Sequence, residues 1–195
     1  FYYTSTGWMM WNWQVAALSC GASIYLYDGS PLYPEIDVLL KYCSQKKFTL
    51  FGVGAKYLDH LKNENYNSKH LDLINLKTIC STGSPLISES FDYVYNYIKK
   101  DVHLASISGG TDIVSCFMLG IPTLPVYSGE IQGPGLGMDI DVFNDNGKPT
   151  KKTGELVCKT PFPSKPIYFW NDRMNNKYKS AYFKKFPNIW SHGDY

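Results

Sequence analysis

The stretch Ser-Ile-Ser-Gly-Gly-Thr-Asp at residues 106–112 is the feature around which the rest of the chain can be ordered. Strand-like runs at 102–105 and 113–118 flank it. Two adjacent glycines can take positive φ and let a ligand approach the main chain closely. A threonine hydroxyl beside a carboxylate offers a phosphate contact next to a Mg²⁺ ligand. Taken by itself, the same stretch also fits a surface turn between two strands.

The composition indicates a globular protein large enough to bury a core. Of 195 residues, 44% are hydrophobic and 16% are aromatic, and the formal net charge is +2. The lysine pairs are scattered along the chain, so the sequence predicts no nucleic-acid partner. No apolar run reaches the roughly 18 residues of a membrane span. The five cysteines are widely spaced without a Cys-x-x-Cys motif, which favours a reducing compartment, so we predict a cytoplasmic protein.

Two kinds of pattern alternate in the first part of the chain, runs at helical spacing and short runs of strand-forming residues. The helical runs are 8–19, 34–46 and 55–61, and the strand-like runs are 22–27, 48–53, 76–81 and 102–105. Ser88 is placed to cap a further helix. The alternation predicts an α/β fold with a mostly parallel sheet layered with helices. Ligands bind beyond the carboxyl ends of such strands, where the turns 82–85 and 108–112 lie.

The pattern changes after Pro125, where short strands are separated by glycines. The strands are predicted at 129–132, 138–143 and 154–158, followed by a helix within 171–186. We therefore predict an α/β subdomain over residues 1–125. A β-rich subdomain over 126–195, built as a small distorted barrel, is expected to follow it.

Several catalytic schemes find no support in the sequence. A Gly-x-Ser-x-Gly elbow, a His-Glu-x-x-His motif and a Walker-type phosphate loop are all missing from the 195 residues. The remaining polar turns come from four separate parts of the chain.

Those four turns, in their order, resemble the nucleotide site of the adenylate-forming acyl-CoA ligases. The turns are Thr82–Pro85, Ser108–Asp112, Gly154–Leu156 and Trp190–Asp194. The second resembles the family motif Tyr-Gly-x-Thr-Glu, with Asp112 in place of the usual glutamate and the aromatic residue missing. Further similarity in Thr6–Trp13, Leu26–Pro31 and Pro161–Pro163 extends the resemblance over the whole chain.

The resemblance implies a reaction in two steps. A carboxylate substrate attacks the α-phosphate of ATP to give an acyl-adenylate and pyrophosphate, and the thiol of CoA then displaces AMP. ATP, Mg²⁺ and CoA are the implied cofactor and co-substrates. The similarity narrows to members that activate acetoacetate, while another short-chain or medium-chain acid remains an alternative.

The resemblance also implies roles for individual residues in the nucleotide site. Gly83, Ser84 and Pro85 would form the wall against adenine. Gly110 and Thr111 would contact phosphate, with Thr111 and Asp112 as the catalytic pair and Asp112 as the Mg²⁺ ligand. The carboxylate of Asp194 would accept hydrogen bonds from both ribose hydroxyls.

An acyl pocket is implied on the other side of the glycine turn. Its predicted residues are Met9, Met10, Asn12, Thr82 and Gly109. Related acetyl-CoA synthetases carry a bulky tryptophan where Gly109 stands, so glycine would leave room for a longer acid. The run of methionines and tryptophans is also compatible with an ordinary helix core. His192 is interpreted as a turn residue.

Two parts of the family pattern are not found in these residues. The phosphate loop is expected to precede Phe1, and the lid domain with its catalytic lysine is expected to follow Tyr195. The segment by itself is therefore expected to be inactive. A different class of function, a non-catalytic nucleotide-binding or structural domain, remains open.

Overall fold

The computed structural model describes residues 1–193, and a parallel sheet lies at the centre of their first half. Its strands are β1 (Leu50–Gly54), β2 (Thr78–Thr82) and β3 (His103–Ser106), hydrogen-bonded in that order. The first residues extend the sheet beyond β1, since Tyr3 N donates to the carbonyl of Gly52 at 2.8 Å. The predicted α/β fold with a parallel sheet is confirmed.

Three helices pack on this sheet through their apolar faces. They are α2 (Val38–Lys46), α3 (Ala55–Asn63) and α4 (Ser88–Tyr93), the last continued by a π-helical turn at Val94–Ile98. Phe51 and Ile79 from the sheet are fully buried against Leu61 and Phe91 from the helices. Each such side chain stabilises the fold by roughly 1.5–3 kcal/mol relative to an exposed one.

Helix α1 (Met9–Ala17) forms where predicted but is not the buried helix that its sequence indicated. Met9 and Gln14 are its buried residues, whereas Trp8 and Trp13 at its outer side are 57% and 40% exposed. Gln14 anchors the helix, because its side-chain amide accepts from the backbone N of Tyr2 and donates to the Tyr2 carbonyl, both at 3.1 Å. The helix therefore contacts the rest of the fold through Met9 and Gln14, while its other side chains are half-buried or exposed.

Other predicted elements are shorter than expected or missing from the described residues. Residues 22–27 do not form a strand in the described part of the chain. The rings of Tyr25 and Tyr27 pack against Tyr42 instead. The run 129–132 is irregular. The predicted helix within 171–186 is reduced to α5 (Asn176–Tyr182). Ser88 is the first residue of α4 and not its cap, since Ile87 holds the cap position without a side-chain hydrogen bond.

Beyond β3 the strands form two small antiparallel sheets. The first contains β4 (Ser108–Gly110), β5 (Ser115–Leu119) and β6 (Gly133–Pro134), and the second contains β7 (Ile140–Phe143), β8 (Glu155–Cys158) and β9 (Trp190–Ser191). Over residues 1–193 they do not close into a barrel, so the predicted barrel is corrected to open sheets. The edge strands β6 and β9 have two residues each, which leaves too little ladder to close one. The first sheet draws strands from both sides of residue 125, and the division at that residue stays a prediction.

A second core joins these sheets to α5. Its buried members include Ile113, Phe117, Tyr178, Tyr182 and Trp190. In the part of the chain that the structure describes, no helix is both long enough and apolar enough to cross a membrane.

Candidate functional site

The two glycines of the opening stretch are required by close packing rather than by positive φ. Gly109 and Gly110 lie in β4, opposite Cys116 and Ser115 of β5. A Cβ at Gly109 would overlap the backbone carbonyl oxygen of Ser115, and a Cβ at Gly110 would lie 2.7 Å from Nε2 of His192. The space beside Gly109 is therefore filled by the neighbouring strand in this structure.

Left-handed backbone occurs instead at Val114, with a φ of 46°. A β-branched residue is unfavourable in this region, which costs about 1–3 kcal/mol where it occurs. Val114 is 55% exposed and follows Asp112 by two residues. The positive φ that the sequence would allow at the glycine pair thus occurs on the far side of the turn.

Thr111 connects the glycine turn to the start of helix α1. Its Oγ1 accepts a hydrogen bond of 3.1 Å from the backbone N of Met9, which is 102 residues away in sequence. This bond satisfies one of the amides that every helix leaves unpaired at its N-terminus. Because the oxygen is the acceptor, the Thr111 hydroxyl hydrogen stays available for a phosphate oxygen.

Asp112 is surrounded by three groups that restrain its carboxylate. Oδ2 accepts from the hydroxyl of Tyr182 at 2.6 Å, and Oδ1 accepts from the backbone N of Ile113 at 3.1 Å. Nε2 of His192 lies 3.8 Å from Oδ1. Burial, together with this hydrogen bond to Asp112, raises the pKa of Tyr182, so the phenol stays a donor.

The turn after β2 lies next to the turn after β3. Gly83 has a left-handed φ of 86°, which favours glycine at this position. The hydroxyl of Thr82 donates to the carbonyl of Ile107 at 3.1 Å and ties the two turns together. The structure therefore brings the predicted adenine-contacting turn and the glycine turn to one edge of the parallel sheet.

A cleft of about 680 Å³ opens between α1 and this edge. Three of the predicted site residues line it, Met10, Thr82 and Gly83. Its walls are otherwise formed by residues of the N-terminal segment, of α1 and of the 25–29 loop, together with Gly54.

Two residues of the predicted acyl pocket lie elsewhere. Met9 is 6% exposed and packs in a core cluster with Tyr2 and Ile107. Asn12 is on the exposed side of α1. Their roles in an acyl pocket, like that of Gly109, stay predictions.

The fourth predicted turn is held by Glu155, whose carboxylate is buried. It accepts hydrogen bonds from Ser191 Oγ at 2.8 Å, Gly193 N at 2.8 Å and Lys185 Nζ at 2.9 Å. Burial alone would raise the pKa of Glu155, but these three donors outweigh it and hold the pKa below its ordinary value. Asp194, the predicted ribose ligand, lies outside the described residues.

The side chains at the glycine turn are compatible with a Mg²⁺ ion that is bound mainly by the phosphates of a nucleotide. Among residues 1–193, no group of three or more histidine, cysteine, aspartate or glutamate side chains could hold a metal. Mg²⁺ is commonly bound by one or two carboxylates together with substrate phosphates and water. The half-exposed carboxylate of Asp112 fits that arrangement as a single protein ligand.

Sequence patterns did not single out Tyr182 or Lys185, and they placed His192 in a turn without a role. Tyr182 contacts Asp112 because α5 packs beside β9, where the ring of Tyr182 stacks on Trp190. Residue spacing carries no signal for such a contact. The strand that contains Glu155 resembles the family pattern, but nothing in that pattern indicated the hydrogen bonds that Glu155 accepts from Ser191 and Gly193.

Comparison with known proteins identifies relatives over the whole chain. No protein-family model matches it. The chain is 54% identical over 197 residues to the acetoacetyl-coenzyme A synthetase of Rhizobium meliloti (strain 1021) and 55% identical over 196 residues to the acetoacetyl-CoA synthetase of Gallus gallus. Both alignments cover 100% of this chain and 30% and 29% of those proteins, respectively.

A solved structure shows the same fold. Acetoacetyl-CoA synthetase from Streptomyces lividans superposes with a TM-score of 0.92 at 43% identity, covering 100% of this chain and 31% of that one. The chain thus spans about 30% of the length of the relatives it matches. Sequence identity and fold agree over the whole length of this chain, which is homologous to a segment that makes up about 30% of acetoacetyl-CoA synthetases.

Proposed function

We propose that the protein containing this chain is an ATP-dependent acid–CoA ligase that activates acetoacetate. Its products are acetoacetyl-CoA, AMP and pyrophosphate. The observation that carries the proposal is the bond from Met9 N to Thr111 Oγ1. It joins the candidate phosphate-binding turn to the helix that walls the 680 Å³ cleft. The names of the relatives support acetoacetate as the acid.

In the first step, a carboxylate oxygen of acetoacetate forms a bond to the α-phosphorus of ATP, and the bond to the bridging oxygen of pyrophosphate breaks. The Thr111 hydroxyl donates to an α-phosphate oxygen, where negative charge accumulates. The Asp112 carboxylate, held by Tyr182, would bind Mg²⁺, which when present offsets charge on the leaving pyrophosphate. Positioning of the two anions accounts for most of the acceleration in such reactions.

In the second step, the sulfur of CoA forms a bond to the acyl carbon, and the bond from that carbon to the AMP oxygen breaks. The thiol proton leaves to solvent. Gly83, Ser84 and Pro85 would hold adenine in both steps, and Asp194 would hold the ribose.

The cleft also favours a second candidate within the same class. Its volume of about 680 Å³ and its aromatic wall, which includes Trp8 and Trp11, leave room for an acid longer than acetoacetate. A ligase for a medium-chain acid would use the same phosphate-binding residues.

The test measures pyrophosphate release and thioester formation by the full-length protein with ATP, CoA and a series of acids. We expect kcat/KM to be highest for acetoacetate and much lower for acetate and hexanoate. Equal values for acetoacetate and acetate would overturn the substrate assignment. Absence of pyrophosphate release with every acid would overturn the ligase assignment and favour a non-catalytic nucleotide-binding domain.

Variants of Thr111 provide the matched control. Thr111→Val removes the hydroxyl at nearly constant volume and should lower kcat about 100-fold. Thr111→Ser keeps the hydroxyl and should retain most of the activity. An unchanged kcat in Thr111→Val would show that the hydroxyl does not contribute to the reaction.

We also propose that the protein works in the cytoplasm. The support is the set of cysteines without disulfide partners, four of which are buried as thiols in the described residues. Fractionation of cells with an antibody against the protein would test this location.

A further inference from the structure

The imidazole ring of His192 is held in one orientation by aromatic neighbours. The residue directly follows strand β9, and its side chain is 13% exposed. The ring meets that of Phe117 edge to face, with centroids 4.8 Å apart and planes inclined by 68°. On another side it lies nearly parallel to the ring of Trp190, at 6.4 Å and 21°. These contacts fix which edge of the imidazole faces the glycine turn.

The Nε2 edge of this ring lies against the glycine turn. Nε2 and Cε1 are 2.7 Å and 2.8 Å from the place where a Cβ at Gly110 would stand, so the ring occupies room that a side chain would need. Nε2 is also 3.8 Å from Oδ1 of Asp112, which is longer than a hydrogen bond. The nitrogen therefore reaches the turn without being hydrogen-bonded to that carboxylate.

The surroundings of the two ring nitrogens decide which of them carries the proton. Nδ1 is buried and has no hydrogen-bond partner among residues 1–193. A neutral imidazole has a single N–H, and burying that N–H without an acceptor is costly. The nearby carboxylate of Asp112 favours the proton on Nε2 instead. Since Thr111 follows Gly110 directly, the turn is offered two donors, the Thr111 hydroxyl and the His192 Nε2–H.

We propose that His192 is a phosphate-binding residue of the nucleotide site, whose Nε2–H donates to a non-bridging oxygen of the α-phosphate. The inference rests on the proposed function, because it takes the glycine turn as the place where that phosphate binds. The hydrogen bond strengthens as negative charge accumulates on the oxygen during attack by the acid. His192 acts as a hydrogen-bond donor only, so no proton is transferred and no bond to the ring forms.

The test compares binding of AMP and adenosine to the full-length protein by calorimetry, without acid or CoA. Adenosine lacks the phosphate but shares the base and the ribose. In His192→Leu the Kd for AMP should rise about tenfold, as expected when a hydrogen bond to a charged group is lost. The Kd for adenosine should stay at the wild-type value, which a merely structural role of the ring would not predict.

Two amide variants separate the donor from the ring and keep the test decisive if His192→Leu does not fold. His192→Gln can place an amide N–H about where Nε2 lies, and it should retain most of the affinity for AMP. His192→Asn carries the same amide but reaches only as far as Nδ1, so it should lose that affinity. His70→Leu is the matched control, because His70 is 55% exposed and contacts Asp37 and Tyr66 instead of the glycine turn. It should change neither Kd.

Four results would overturn the proposal. One is an unchanged Kd for AMP in His192→Leu, and another is an equal weakening of AMP and adenosine in that variant. A third is equal loss of AMP affinity in His192→Gln and His192→Asn, which would assign the effect to ring packing against Phe117. The fourth is a wild-type protein that binds AMP no more tightly than adenosine. None of them bears on acetoacetate activation, which pyrophosphate release tests separately.

Discussion

The hydroxyl of Tyr182 donates a hydrogen bond of 2.6 Å to Oδ2 of Asp112, although 70 residues separate the two in sequence. The ring of Tyr182 stacks on Trp190, with centroids 3.7 Å apart and planes inclined by 14°. Helix α5 is therefore connected both to the glycine turn and to the strand that leads into the last predicted site turn. One aromatic pair links two candidate parts of the nucleotide site.

Removing this hydroxyl should weaken nucleotide binding. In Tyr182→Phe the Asp112 carboxylate loses a restraining donor, a loss of about 1.5–3 kcal/mol for a hydrogen bond to a charged group. We expect the KM for Mg·ATP to rise roughly tenfold with a smaller change in kcat. Steady-state kinetics of the full-length protein at varied Mg²⁺ would measure both parameters.

Tyr178→Phe is the control for that prediction. Its hydroxyl donates to the carbonyl of Pro166 at 2.7 Å, and its ring lies in the same aromatic cluster without contacting Asp112. The KM for Mg·ATP should stay at the wild-type value in this variant. The same rise in both variants would mean that the cluster, and not the bond to Asp112, controls binding.

The smallest possible side chain at Gly109 should destabilise the fold. A Cβ there would overlap the backbone of Ser115, which cannot move without breaking the pairing of β4 with β5. We expect Gly109→Ala to lower the free energy of unfolding by about 1–3 kcal/mol, the usual cost of overpacking. Chemical denaturation would measure it.

Gly7→Ala is the corresponding control, because nothing lies within 4 Å of its added Cβ. Its stability should differ little from that of the wild type. An equally small effect of Gly109→Ala would show that β5 can shift. In that case the interpretation of Gly109 as room for the acyl group would gain support.

Three buried thiols should resist alkylation in the folded protein. Burial raises the pKa of the Cys43 and Cys80 thiols to about 12 and that of Cys116 to about 11. Since the thiolate is the reactive form, iodoacetamide near neutral pH should leave all three unlabelled. Mass spectrometry of peptides from native and denatured samples would show the difference, and rapid labelling of Cys80 before unfolding would contradict the burial of its strand.

Gln14 should matter more for stability than its polar character suggests. Its amide makes two hydrogen bonds of 3.1 Å to the backbone of Tyr2, so Gln14→Leu leaves a buried N–H and a buried C=O unpaired. Each unpaired group costs about 1–3 kcal/mol. Thermal unfolding should show a lower Tm for Gln14→Leu. Gln14→Glu should also lower it, because an ionised carboxylate there would be buried and could not donate to the Tyr2 carbonyl.

The local pattern of the sequence was sufficient for the parallel sheet and for α1, α2 and α3. Strand runs such as 48–53 alternate with helical runs, and this alternation is typical of a parallel sheet covered by helices. It failed at 22–27, where β-forming residues are present but their rings find partners on α2 instead of in a sheet. It also failed for the barrel, because closure depends on strand length and register, which short glycine-separated runs do not specify.

The sequence indicated which chemical groups the candidate site contains. A glycine pair followed by Thr111 and Asp112 indicated a phosphate and metal turn, and four turns in order indicated the family. What holds those groups in place was decided by tertiary structure alone. Three hydrogen bonds do this, and they join residues that are 102, 70 and 38 positions apart. They run from Met9 N to Thr111, from Tyr182 to Asp112 and from Gly193 N to Glu155. Hydrogen bonds between residues so far apart produce no periodic pattern in the sequence, because they follow from how helices and sheets pack. Gly109 shows the same division. The residue is visible in the sequence, but the β5 backbone that leaves no room for a Cβ beside it is visible only in the structure.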